Sequence, residues 1–174
     1  MDFSQDYFQI FGLDRSFELD LATLDTRYRE LQKTVHPDRF ADATDQEKRL
    51  SAQWATQVNT AYDILKKPLP RAIYLLQLKD IEIEHNPTLD PMFLMEQIEL
   101  REALEELEEA GGPIEALDDF KASVQGVMTE LDGEFAAAWN ASDDAGAEQV
   151  VYRMQFMNKL LVAADHAEEK ILDY

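Results

Sequence analysis

Residues 27–40 read RYRELQKTVHPDRF, an amphipathic helix that runs into a short loop containing proline. One face of this helix carries apolar side chains spaced by four, three and four residues: Leu24, Tyr28, Leu31 and Val35. Pro37 disfavours the α conformation in the residue before it, so the helix is predicted to end at His36. A helix followed at once by a stiff, polar loop predicts one arm of a helical hairpin.

The other arm of the hairpin follows the loop. Thr44 and Glu47 have the spacing of a capping box, which starts a helix. This helix is predicted to end before Pro68. Its buried face is predicted to contain Trp54, Val58, Ala61 and Leu65. Ahead of the hairpin, we predict a short helix from near Ser4 to Phe11, and Asp20 is a candidate cap for the first arm.

The composition excludes several classes of function. The 174 residues hold 16 Lys and Arg against 36 Asp and Glu, a formal net charge of −20. Such a charge argues against non-specific binding to nucleic acid or to anionic membranes. Without cysteine there are no disulfides, thiolate zinc sites or self-ligated iron–sulfur clusters. No apolar run of membrane-spanning length and no targeting signal is apparent, so a cytoplasmic protein without a cofactor or metal is expected.

The acidity is concentrated in the C-terminal part. Residues 1–70 hold 9 cationic and 12 acidic side chains, whereas residues 71–174 hold 7 and 24, or −3 against −17. After a connector, the sequence predicts three helices, each with an apolar stripe along one face. The first helix begins at the Asp90-Pro91 cap, the stripe of the second includes Leu131, and the stripe of the third includes Met154. We therefore predict an all-α chain with two parts, a helical hairpin followed by an antiparallel three-helix bundle.

The loop between the hairpin arms is the first candidate site. Its His-Pro-Asp tripeptide presents an imidazole and a carboxylate, and cations outnumber acids between residues 27 and 39. Arg29 and Lys33 lie opposite the apolar seam, so we expect them to face solvent. A basic face on so acidic a chain indicates an acidic protein partner. A helix stop with a capping aspartate is the plainer interpretation of the same tripeptide.

The N-terminal part closely resembles a J domain. The resemblance rests on DYFQIFGL at 6–13, on RYRELQKTVHPDRF at 27–40 and on VNTAYDILKKPLPRA at 58–72. J-domain proteins bind DnaK-type chaperones and stimulate their ATP hydrolysis. The resemblance implies that His36, Pro37 and Asp38 form the triggering loop, and that nearby cations contribute to docking: Arg27, Arg29, Lys33 and Arg39.

Along its full length the chain resembles the HscB family, in which a J domain precedes a three-helix bundle. The most specific stretch is FLMEQIELRE at 93–102. HscB-type proteins bring the iron–sulfur scaffold IscU to the chaperone HscA. The resemblance implies a J domain at 1–75, a connector at 76–90, a bundle at 91–174, and these scaffold-binding positions: Leu94, Met95, Ile98, Glu99, Glu102 and Phe156.

Helical periodicity independently puts Leu94, Met95 and Ile98 away from the seam through Phe93 and Leu100. It also puts Phe156 to one side of the last stripe, where partial exposure is expected. A crowded bundle that buries these residues is the alternative, because periodicity does not fix the rotation of a helix.

Two other classes of function fit the sequence less well. An enzyme is disfavoured, because the three histidines are far apart in sequence and no phosphate loop or catalytic triad is apparent. A J-domain adaptor for a different client, whose bundle dimerises through the apolar patch, is the stronger rival.

Overall fold

The computed structural model describes residues 2–35, 43–84, 87–109 and 114–172. In these ranges every regular element is an α-helix, as the sequence predicted. The chain divides into two compact units, Met1–Lys79 and Asp80–Tyr174. None of the described helices has the length and hydropathy needed to cross a membrane.

The first unit is built around the predicted hairpin. Its helices are α1 (Tyr7–Ile10), α2 (Leu21–Val35), α3 (Asp45–Leu65) and α4 (Pro68–Gln77). Helix α3 contacts all three of the others. The fully buried centre holds one large aromatic and several aliphatic side chains: Phe8, Leu24, Val58, Leu65, Leu75 and Leu76. The predicted seam residue Val35 and the predicted core residue Trp54 are buried as well.

Helix α1 is shorter than predicted. Ser4 does not join it, because its backbone N–H and its hydroxyl both donate to Asp2 Oδ1, over 3.0 and 2.6 Å. The helix starts instead after Asp6, which forms a capping box with Gln9. It ends as predicted before Gly12, whose φ of +61° is a left-handed conformation that suits glycine.

Helix α4 was not predicted. Two prolines, Pro68 and Pro70, indicated the end of α3 and hid the start of the next helix. Both lie in the first turn of α4, where a backbone N–H has no partner within the helix and proline is tolerated. The Leu75 and Leu76 side chains of α4 then complete the core of the first unit.

The second unit is the predicted three-helix bundle. Its helices are α5 (Pro91–Glu109), α6 (Ile114–Asn140) and α7 (Asp144–Leu172). Asp90 Oδ1 accepts from the Met92 N–H over 2.8 Å, which confirms the predicted cap of α5. Most packing in the unit is between α6 and α7, and α5 lies against both. The predicted stripes supply its core, including Leu117, Val124, Leu131, Phe135, Met154, Met157 and Ala164.

One basic side chain joins α6 to α7. The Lys121 ammonium lies 2.6 Å from Asp165 Oδ1 and 2.8 Å from Glu168 Oε2. Its hydrogen bonds to Asp165 and Glu168 raise the pKa of Lys121 above its usual range. The long helices of the bundle are thus tied together by polar contacts as well as by their core.

Candidate functional site

The residues of the predicted triggering loop lie outside the described residues: His36, Pro37, Asp38 and Arg39. The structure does describe the helix ends on either side of this loop. The Ser51 hydroxyl donates to the Val35 carbonyl over 3.3 Å in a buried position, which ties the last turn of α2 to α3. The loop therefore departs from a helix end that is held against its neighbour.

The capping box at the start of α3 holds the other end. Thr44 Oγ1 accepts from the Glu47 N–H over 3.3 Å, and Glu47 Oε2 accepts from the Thr44 N–H over 2.8 Å. Hydrogen bonds from the Thr44 backbone and side chain lower the pKa of Glu47. Both bonds were predicted from the sequence, and both are confirmed.

Stacked tyrosines set the rotation of α2 against α3. The Tyr28 and Tyr62 rings lie 3.9 Å apart between centroids and nearly parallel. The Tyr28 hydroxyl donates to Asn59 Oδ1 over 3.0 Å, and the Tyr62 hydroxyl donates to Asp25 Oδ1 over 2.8 Å. The bond to Asp25 raises the pKa of Tyr62. Sequence reasoning placed Tyr28 in the seam but missed this paired arrangement.

With α2 held in this rotation, Arg29 and Lys33 are exposed, as predicted. Arg27 is placed differently: it is half-buried, and its guanidinium Nη1 donates to the Phe11 carbonyl over 2.6 Å and also to the Gly12 carbonyl. A guanidinium engaged by two backbone carbonyls stabilises the turn after α1. Arg27 therefore stabilises the internal framework of the unit, and less of its side chain is open to solvent than at Arg29 and Lys33.

Large apolar side chains face outward on α5. Leu94 is 44% exposed, Met95 62% and Ile98 57%, and Met92, one turn earlier, is 78% exposed. The structure confirms the prediction that Leu94, Met95 and Ile98 face outward. We call these three residues the α5 patch. Sequence reasoning missed Met92, although its place beside the cap of α5 was a usable signal.

Phe156 corrects an expectation. It is only 6% exposed, because its ring packs edge-on against Phe93, with the ring centroids 5.8 Å apart. The Arg101 guanidinium lies 5.6 Å from the centre of the Phe156 ring. The expected partial exposure of Phe156 is wrong, since α5 lies over this side of α7. Phe156 is instead the support beneath the helix that carries the α5 patch.

Acidic side chains border the α5 patch. Glu99, Glu102 and Glu105 are all exposed. The second unit, residues 80–174, contains 5 Lys and Arg against 24 Asp and Glu, a net charge of −19. An apolar centre inside a charged rim is the usual arrangement of a protein-binding surface. Among the described residues, no group of three His, Asp or Glu side chains is arranged to hold a metal ion.

Each of the two units matches a different protein-family model. Residues 6–74 match the family model of the DnaJ domain. Residues 89–165 match the family model of the HSCB C-terminal oligomerisation domain. The first match spans α1 to the middle of α4, and the second contains the whole of α5 and α6.

Whole-chain relatives agree with the family models. The chain is 42% identical over 170 residues to the co-chaperone protein HscB homolog of Shewanella loihica, covering 95% of this chain and 98% of that protein. The structure of the chaperone HscB from Vibrio cholerae superposes with a TM-score of 0.86 at 38% identity, covering 96% of this chain and 99% of that one. The human co-chaperone protein HscB also gives 0.86, at 33% identity, covering 98% and 82%. The chain belongs to the HscB family of co-chaperones.

Proposed function

We propose that this protein delivers an IscU-type iron–sulfur scaffold to an HscA-like chaperone of the DnaK type and stimulates the ATPase of that chaperone. Maturation of iron–sulfur proteins is the process it would serve, in the bacterial cytoplasm. The observation that carries the proposal is the α5 patch: Leu94, Met95 and Ile98 remain outward on a bundle that is joined to a J domain. A J domain needs a client to deliver, and this patch is a surface on which a client would bind.

In this proposal residues 1–75 act on the chaperone. Arg29 and Lys33 guide an acidic surface of the chaperone onto α2, which raises the association rate. The His36, Pro37 and Asp38 loop then contacts the chaperone between two anchored helix ends. Loop contacts stimulate ATP hydrolysis only if they favour one conformational state of the chaperone over another. The protein performs no chemistry of its own in this scheme.

Residues 91–174 hold the scaffold in the same proposal. Leu94, Met95 and Ile98 supply the apolar centre, and the flexible Met95 adapts to an imperfect fit. Glu99 and Glu102 supply acidic contacts at the rim. Phe156 acts through Phe93 by keeping α5 in place. Any cluster would be ligated by the scaffold, because this chain has no cysteine.

The test is steady-state ATP hydrolysis by a purified HscA-type chaperone. The protein and an IscU-type scaffold are added separately and together, and we expect the strongest stimulation when both are present. His36→Gln should abolish the stimulation while leaving the helix content unchanged in circular dichroism. Stimulation by the wild-type protein that the scaffold does not alter would reject the scaffold as client and retain the J-domain role.

A second variant pair isolates the α5 patch. Ile98→Asp places a charge in the apolar centre, and we expect it to weaken scaffold binding by about 100-fold. Val162→Asp is the matched control, because Val162 is 49% exposed on α7 and is not part of the α5 patch. Isothermal titration calorimetry with the scaffold would measure both. Equal affinities for the two variants would remove the α5 patch from the client-binding site.

The second candidate is an adaptor for another client, with the bundle dimerising through the α5 patch. The 44–62% exposure of Leu94, Met95 and Ile98 favours it, since apolar surface of this kind also suits a second copy. Sedimentation equilibrium separates the two candidates. A dimer that Ile98→Asp converts to monomer would support self-association, and a wild-type monomer would reject it.

A further inference from the structure

A cleft of about 510 Å³ opens beside the first turns of α5. Its apolar lining comes from Met92, Met95 and Phe93, and the Arg153 side chain reaches it from α7. Met92 and Met95 are three residues apart, so they lie on neighbouring turns of one flank of the helix. Because Met92 is 78% exposed and Met95 62%, apolar surface is available to a partner along this flank.

The cleft is rimmed by negative charge. Glu96 and Glu99 line it one turn further along α5, and Asp90 lines it at the cap. The cation beside them is already engaged: Arg153 Nη1 lies 3.0 Å from Glu134 Oε2, and its guanidinium lies 5.8 Å from the centre of the Phe93 ring. The cleft therefore combines a flexible apolar lining with carboxylates that favour a positive partner.

The cleft adjoins the α5 patch through Met95, which belongs to both. Leu94 and Ile98 lie on the other flank of α5, as do Arg101 and Glu105 at the same helical spacing. A partner seated on Leu94 and Ile98 reaches the cleft by crossing Met95. Occupation by the second unit of another copy is disfavoured by charge, because that unit also carries −19 and would bring its own acids against this rim.

We propose that the cleft is a second docking subsite for the scaffold client, and that it takes a segment in which an apolar side chain adjoins a lysine or arginine. This inference rests on the proposed function and extends the client surface from the α5 patch to Met92 and Glu96. The apolar side chain enters between Met92, Met95 and Phe93, and the cation pairs with Glu96 or Glu99. Methionines let the subsite adjust to the shape of that side chain.

The experiment measures scaffold affinity by isothermal titration calorimetry at low and high salt, using the full chain. Met92→Ala should weaken binding by about fivefold at both salt concentrations, because it removes apolar contact. Glu96→Lys should weaken binding by about tenfold at low salt and by much less at high salt, because salt screens charges that are in contact with solvent. Asp119→Lys is the control: it makes the same charge change on an exposed residue of α6 outside the cleft, and it should bind like the wild type.

The outcomes separate this inference from the proposed function. If the wild type binds the scaffold and Ile98→Asp does not, while Met92→Ala and Glu96→Lys bind normally, the subsite is rejected and the proposed function stands. If the wild type does not bind the scaffold at all, both fail. If Glu96→Lys and Asp119→Lys weaken binding equally, net charge is responsible and the subsite is rejected. If sedimentation shows a wild-type dimer that Met92→Ala disrupts, a second copy occupies the cleft and the inference is overturned.

Discussion

The two units of this molecule differ in net charge and in the side chains that they expose. The first, residues 1–79, holds 11 cationic and 12 acidic side chains, a net charge of −1, and its α2 presents Arg29 and Lys33 to solvent. The second, residues 80–174, carries −19 and exposes the α5 patch. A basic face suits an acidic partner, and an apolar patch with an acidic rim suits a partner that is apolar and basic. One chain therefore presents two chemically different surfaces.

The interiors differ as well. The first unit is held together by polar and aromatic contacts as well as by its core. The Tyr28–Tyr62 stack joins the two arms of the hairpin, and the bonds from Arg27 to backbone carbonyls join α2 to the turn after α1. In the second unit α5 rests on packed rings, Phe93 against Phe156. The first unit should therefore be sensitive to the loss of specific hydrogen bonds, and the face of α5 should be sensitive to the loss of buried volume.

Phe156 offers the largest expected effect. Phe156→Ala removes a buried ring beneath α5 and should lower the free energy of unfolding by about 4 kcal/mol. Phe156→Leu keeps much of the volume and should cost about 1 kcal/mol, while largely preserving scaffold affinity. Urea denaturation and calorimetric titration would measure the two quantities. A normal stability for Phe156→Leu together with a loss of affinity as large as that of Ile98→Asp would mean that the ring contacts the client directly.

Arg27 and Arg29 allow an internal and an exposed arginine of the same helix, α2, to be compared. Arg27→Ala leaves two backbone carbonyls without their charged donor and should lower the free energy of unfolding by about 2 kcal/mol. Arg29→Ala alters an exposed side chain, so its effect on unfolding should stay within about 0.5 kcal/mol while chaperone stimulation falls. Denaturation and ATPase assays on both variants check this. If Arg27→Ala is fully stable but stimulates poorly, Arg27 belongs to the docking face after all.

Gly12 tests the turn that Arg27 holds. Its φ of +61° is unfavourable for any residue with a β-carbon, and such an atom would lie 3.2 Å from Arg27 Nη1. Gly12→Ala should therefore lower the free energy of unfolding by about 1 kcal/mol, as measured by thermal or urea denaturation. Gly126→Ala is the control, because a β-carbon at that α6 position meets nothing within 4 Å and alanine is the better helix former. A destabilised Gly126→Ala beside an unaffected Gly12→Ala would contradict this description of the turn.

Glu47 gives the smallest effect, and its sign depends on pH. Its hydrogen bonds to Thr44 lower its pKa in the folded protein, so the ionised form stabilises folding. That contribution is complete above the unfolded pKa of about 4.3 and disappears as the pH falls through the lower folded pKa. The stability gap between wild type and Glu47→Gln should therefore be widest above about pH 5 and should close in acid. A gap that is constant with pH, in denaturation at several pH values, would show that ionisation of Glu47 is not involved.

Thr44→Ala provides the control for Glu47. It removes the hydroxyl half of the capping box and should cost about 1 kcal/mol by itself. In that background the pH-dependent gap caused by Glu47→Gln should be smaller, because one of the two hydrogen-bond donors to the carboxylate is gone.

Much of the molecule was predictable because it depends on residues close together in sequence. The capping box of Thr44 and Glu47 and the α5 cap at Asp90 arise from contacts within about four residues, as do the starts and ends of most helices. Helix α4 is the exception, because the local sequence is ambiguous there. A proline in the first turn of a helix and a proline just after a helix give the same sequence pattern, and only the packing of the following residues distinguishes them. The net charge of −19 on the second unit could likewise be predicted, because it depends only on the composition of residues 80–174.

The sequence by itself determined every described helix except α4, together with the apolar faces, the two-part organisation and the charge difference, because each follows from short-range spacing or from counting. Only the tertiary structure decided which side chains near those faces are available. Phe156 was expected to be partly exposed and is buried against Phe93, and Arg27 is held by carbonyls 15 and 16 residues away. The rotation of each helix depends on which distant side chains it meets, and periodicity contains no information about those partners.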